Sequence, residues 1–137
     1  MHVHERWLRT ATDDLKLAKA GLAQELFEPS IYHCQQTAEK AFKSYLIFKR
    51  QPIARTHDLI DLLERCLGFD KDFEKLYQAT KKLNPFSTKF RYPTEFDILE
   101  ASELEFAIKN AESILKFVSN KIAHPEPAQT TIYSRDR

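Results

Sequence analysis

"YHCQQTAEKAFKSYLIFKR", residues 32–50, decides how this chain folds. At 100° per residue, Cys34, Ala38, Ala41, Phe42, Tyr45 and Phe48 gather on one broad face, the pattern of an amphipathic helix. Gln35 projects beside Phe42 and Leu46, at the edge of that face. A partly buried glutamine left unpaired costs about 1–3 kcal/mol, so Gln35 is expected to bond to a neighbouring helix or a facing subunit. Gln36, Lys40, Lys43 and Arg50 fall on the other side, with Ile47 among them. Glu39 and Lys43 stand in the favourable i,i+4 order, worth a few tenths of a kcal/mol. This polar row has two readings: a solvated helix face, common on bundle helices, or one wall of a binding site.

The flanks repeat the helical signal. Trp7, Leu8, Ala11, Leu15, Ala18 and Leu22 share one face, predicting a first helix from about His4 to Leu26. Glu28-Pro29-Ser30 breaks that pattern, with Ser30 as the expected N-cap of a second helix from about Ile31 to Lys49. Thr56 is the expected cap of a third, "HDLIDLLERCL", which stops at Gly68. Asp70 precedes a fourth, "KDFEKLYQATKKL", and "NPFSTKFRYPTEFD" reads as a loop. Ser102 and Glu105 spell a capping box for the fifth, where Leu104, Ala107, Ile108, Ala111, Leu115, Val118 and Ile122 line one face. Phe106, Ile114 and Phe117 lie around that stripe, and surplus apolar surface of this kind predicts a two-fold homodimer. No segment reads as a strand. The expected fold is an all-α, antiparallel, up-and-down bundle of about five helices over residues 1–123, with a loose tail over 124–137.

Composition removes several function classes. With Gly 2 in 137 residues, no glycine loop is available to cradle a phosphate, so P-loop and dinucleotide-fingerprint enzymes drop out. Lys+Arg 21 against Asp+Glu 20 gives no bulk charge for a non-specific grip on nucleic acid, and leaves only a local basic patch. Cys34 and Cys66 have no metal-ligand spacing and read as free thiols of a cytoplasmic protein. "MHVHERWLRT" lacks the apolar run of a signal peptide, and no stretch approaches the ~20 apolar residues of a membrane span. No metal site or cofactor is expected: His2 and His4 sit at a fraying terminus, and the acidic pairs Asp13-Asp14 and Asp58/Asp61 lack a matching second pair.

"QQTAEKAFKSYL", "THDLIDLL" and "FRYP", together with Trp7, Ala11, Asp14, Leu15 and Ala18 near the start, resemble the HEPN domain, named for nucleotide binding in higher eukaryotes and prokaryotes. The resemblance covers roughly residues 5–120. It implies a helical bundle that dimerises. It also implies a small nucleotidyltransferase as partner, in pairs that behave as toxin and antitoxin. Catalytic members of the family are metal-independent RNases carrying an Arg, four to six residues, then a His. Here "SNKIAH", residues 119–124, ends on His124 but has Ser119 in place of the Arg. The cation for the transition state is therefore missing. Arg50 and His57 have a permitted spacing, but Pro52 and a helix break intervene.

His57, expected in the first turn of helix three, has two readings: a cap or loop contact, or a group facing a phosphate at a helix N-terminus. Arg91-Tyr92-Pro93 lies in the loop. Arg91 offers a bidentate fork and Tyr92 a stacking face, suited to a nucleotide or unpaired RNA; the alternative is an arginine tying the loop to Asp14 or Asp58. The expected ligand site is Gln36, Lys40, Lys43, His57, Arg91 and Tyr92. His57 and His124 are the candidates should the chain instead be an endoribonuclease. A ligand-free dimerisation module is the third alternative.

Overall fold

The computed structural model describes residues 1–84 and 99–125. Among these, α1 spans Val3–Ala23, α2 Phe27–Phe48, α3 Leu59–Leu67, α4 Tyr77–Leu83 and α5 Ala101–Ala123, and a 3-10 segment, Lys71–Leu76, runs into α4. No strand occurs among the described residues. α1 and α2 pack antiparallel: the Ser44 hydroxyl donates to the His4 carbonyl (2.7 Å) at one end, and Ser30 Oγ to the Ala18 carbonyl at the other. α2 is the central element and touches α1, α3, α4 and α5. Its apolar face is buried as the periodicity requires, with Cys34, Ala38, Ala41 and Phe42 fully enclosed. Phe73 of the 3-10 segment closes the far side, its ring centroid 4.5 Å from Tyr45, 5.0 Å from Phe117 and 6.4 Å from Phe42. Both cysteines are buried and unpaired. Burial alone pushes the Cys34 thiol up to about 12, and Cys66 higher still.

The helices stand near where expected, but the expected fourth is α-helical only over Tyr77–Leu83, its first part Lys71–Leu76 being 3-10, and the starts of α2, α3 and α5 are shifted. α2 begins at Phe27, ahead of Ser30. Pro29 sits in its first turn, where a missing N–H removes no helical bond. Ser30 is therefore not a cap but a buried contact to α1. Asp58, not Thr56, caps α3, accepting from the N–H groups of Ile60 (2.9 Å) and Asp61 (3.4 Å); Thr56 Oγ1 accepts from the Asp58 N–H at 3.1 Å. His57 consequently precedes the helix instead of lying in its first turn. Asp70 does cap its segment, accepting from the Asp72 N–H at 2.9 Å. The capping box of α5 is Glu100 with Glu103, two residues before the expected Ser102 and Glu105. α2 starts without a side-chain cap, after Leu26, whereas α3 and α5 use a nearby carboxylate in place of the expected hydroxyl.

Two packing expectations also change. Gln35 is fully buried and bonds to Glu39 and Gln36 within α2, not to a neighbouring helix. Ile114 is fully buried and Phe117 packs on the core, so of the three surplus apolar residues of α5 only Phe106 is exposed. Residues 126–137, the greater part of the expected loose tail, lie outside the described residues.

Gly21 sets the spacing of α1 against the start of α2. A Cβ there would lie 2.8 Å from Ser30 Cβ and 3.2 Å from the Leu26 carbonyl oxygen. In a free helix Ala would gain about 0.5–1 kcal/mol over Gly, but overpacking of a close contact costs about 1–3 kcal/mol. Gly21→Ala is therefore expected to lower stability by about 1 kcal/mol, read as a lower urea midpoint. A raised midpoint would show that the two helices can part without loss.

Candidate functional site

Part of the polar row of α2 is not a wet face: Lys43 and the neighbouring Glu39 are buried, while Gln36 and Lys40 are half-buried and Arg50 is exposed. Gln35, Glu39 and Lys43 follow one another at four-residue spacing, so their side chains stack along the helix. α1 lies against the row and covers it. The Glu39 carboxylate, with 6% of its side chain exposed, accepts from Lys43 Nζ at 2.9 Å. The same oxygen, Oε2, lies 2.8 Å from His57 Nδ1. Oε1 accepts from Gln35 Nε2 at 3.2 Å, and Gln35 Oε1 accepts from Gln36 Nε2 at 2.9 Å. Burial pushes the Glu39 carboxyl up, but the hydrogen bonds and charges of Lys43 and His57 outweigh it and hold Glu39 below the usual carboxylate range. Lys43 is itself buried, with its Nζ 6.0 Å from the centroid of the Trp7 ring. The chain leaves α2 through Arg50, in left-handed backbone (φ 64°), and comes back so that His57 reaches Glu39 with 76% of its side chain in solvent.

A second carboxylate repeats the arrangement one turn of α2 away. Asp14 of α1, 5% exposed, accepts from Lys40 Nζ at 2.7 Å and lies 2.8 Å from His33 Nδ1. Each carboxylate thus holds one lysine and one histidine.

Beside the Asp14 group, Val3, Arg6, Trp7, Thr10 and Lys40 line an open depression of about 360 Å³. Arg6 is exposed, and its guanidinium has no hydrogen bond or ion pair with the described residues.

Of the expected ligand residues, Gln36, Lys43 and His57 are joined through the Glu39 network, while Lys40 is turned to Asp14. Lys43 thus keeps the Glu39 partner its i,i+4 spacing predicts, but buried, and Lys40 is fixed on the buried Asp14. Arg91 and Tyr92 lie outside the described residues. His124 follows α5, with its Nδ1 3.1 Å from Asn120 Oδ1 one turn earlier. Among the described residues no cluster of metal-ligating side chains occurs, and no helix is long and apolar enough to cross a membrane.

Sequence reasoning missed Arg6, Trp7, Asp14 and His33 as parts of this face. One signal was present: Asp14 shares the helical face of Trp7, Ala11 and Ala18. A carboxylate on a buried stripe demands a cation from the facing helix.

The HEPN domain family matches residues 4–122. This chain belongs to the HEPN family. The bundle is similar to the crystal structure of TT1696 from Thermus thermophilus, with a TM-score of 0.78 and 29% identity over 88% of this chain and 99% of that one. It is also similar to ST0689, described as an archaeal HEPN homologue, with a TM-score of 0.72 and 26% identity over 89% of this chain and 99% of that one. No curated protein matches the chain. The all-α, HEPN-like bundle of about five helices expected from the sequence is the fold found, with five α-helices among the described residues.

Proposed function

We propose that this HEPN domain is a binding module for a nucleotide or single-stranded RNA. In this reading it is a homodimer and works beside a small nucleotidyltransferase, as a toxin–antitoxin type pair. One observation supports the ligand-binding part: His57, from the segment after α2, and Lys43, from the α2 row, meet at one oxygen of Glu39. The proposed cleft required those two separate segments to come together. Exposed Leu17, Leu26, Ile53, Phe69 and Phe106 leave apolar surface for a second copy or a partner.

The test is titration of a labelled single-stranded oligoribonucleotide at rising salt. Weak binding that falls with salt is expected, as counterion competition requires. Arg91→Ala should weaken it about tenfold or more, the loss of charge-assisted hydrogen bonds at roughly 1.5–3 kcal/mol. His57→Ala should weaken it less. Binding unchanged in both variants would refute the proposed cleft. Robust metal-free RNA cleavage, abolished by His57→Ala or His124→Ala, would favour the endoribonuclease reading instead.

A further inference from the structure

We infer that the depression at the start of α1 seats one unpaired nucleobase together with its 5′-phosphate. The inference rests on the reading above, that the chain binds a nucleotide or single-stranded RNA, and it assigns the site to residues on α1. Val3, Trp7 and Thr10 recur at helical spacing and line the depression together with Lys40 and the exposed Arg6. The volume, about 360 Å³, falls in the usual range of about 300–1,000 Å³ for small-ligand sites.

The chemistry of the lining is mixed in a specific way. Trp7, half-buried and packed beside Lys43, supplies fixed aromatic surface. Unpaired bases stack on such surfaces whatever their sequence. Arg6 supplies a planar guanidinium that the described residues leave unpaired, and its fork matches a phosphate. Lys40 is held in place by Asp14 at 2.7 Å; an ammonium carries three donors, so two remain. Its position is set in advance, which lowers the ordering cost of binding. A purely apolar ligand would strand two cations, and a bare anion would leave the Val3 and Trp7 surfaces unused. A stacked duplex would present no free base face.

Trp7 is the single tryptophan of the chain, so intrinsic fluorescence reports on this site directly. Adenosine and guanosine 5′-monophosphates are expected to change the Trp7 emission, with an affinity that falls with salt. Adenosine alone and inorganic phosphate alone should bind at least tenfold more weakly. Arg6→Ala should lower monophosphate affinity about tenfold and Arg6→Lys by less, because Lys keeps the charge and loses the fork. Arg6 is exposed, so these variants keep the fold, and circular dichroism verifies it. Arg65→Ala, which removes another exposed arginine on α3, should leave affinity unchanged. If equilibrium dialysis shows that monophosphates or a short oligoribonucleotide bind, but Arg6→Ala has no effect and Trp7 emission stays constant, the pocket inference is overturned and the binding reading survives. If none of these ligands binds at all, the binding reading fails, and the pocket inference with it.

Discussion

Glu39→Ala is expected to destabilise the bundle by about 3–5 kcal/mol, the cost of leaving one member of a buried ion pair without its partner. Lys43, with 5% of its side chain exposed, would then carry an uncompensated charge against the Trp7 ring, and the Gln35 amide would lose its acceptor. His57→Ala should cost far less, under about 1 kcal/mol, because that ring is largely solvated. The double variant Glu39→Leu/Lys43→Met should recover much of the loss, since replacing a whole buried pair with apolar groups of similar volume is often neutral. The pair also gives the protein an acid limit. The Glu39 carboxyl is held below its ordinary value of 4.5, so its contribution is complete above that value and is lost as pH falls through the lowered one. Urea midpoints measured down through pH 4.5 and below should therefore fall more steeply for the natural chain than for the double variant. Parallel pH profiles, or a Glu39→Ala cost below about 1 kcal/mol, would show that the network is not structural.

Phe73→Ala is expected to cost about 3–5 kcal/mol, the range for removing a fully buried aromatic. The ring lies among Tyr45, Phe117 and Phe42, so the cavity would open between α2, α5 and the 3-10 segment at once. That segment is also held by Lys121 of α5, whose Nζ lies 2.8 Å from Asp70 and 2.7 Å from Asp72. Asp72→Ala should nonetheless cost little, because that carboxylate is half exposed and water screens an exposed ion pair. The comparison separates packing from charge as the force that docks the 3-10 segment. Denaturant unfolding that gives Asp72→Ala the larger effect would reverse the assignment.

The long helices and their apolar faces were legible in the residue pattern. A 3.6-residue apolar period over Cys34–Phe48 or Leu104–Ile122 can be buried in only one way, and the core contains Phe42, Ala107 and Val118 as that period requires. The family was legible as well, because its motif residues are spread over the helices and read without coordinates. Where each helix begins was less legible: Ser30, Thr56 and Ser102 all satisfy the local capping rule, yet α2 starts after Leu26 with no side-chain cap and α3 and α5 use Asp58 and Glu100. The candidate site was legible only in part. His57 and Lys43 do meet, at Glu39, but the burial of the Glu39–Lys43 pair and the hold of Asp14 on Lys40 were not foreseen. An i,i+4 Glu39–Lys43 pair looks the same in a sequence whether it faces water or a helix. The packing of α1 across it, which brings Asp14 to Lys40 and Trp7 to Lys43, is visible only in three dimensions. Burial then turned a weak surface pair into a strong internal one and left Arg6 as the free cation of the α1 depression among the described residues. Periodicity records which face of a helix is apolar. Which charges lose their water depends on what packs against the other face, and that is set by contacts between residues far apart in the chain.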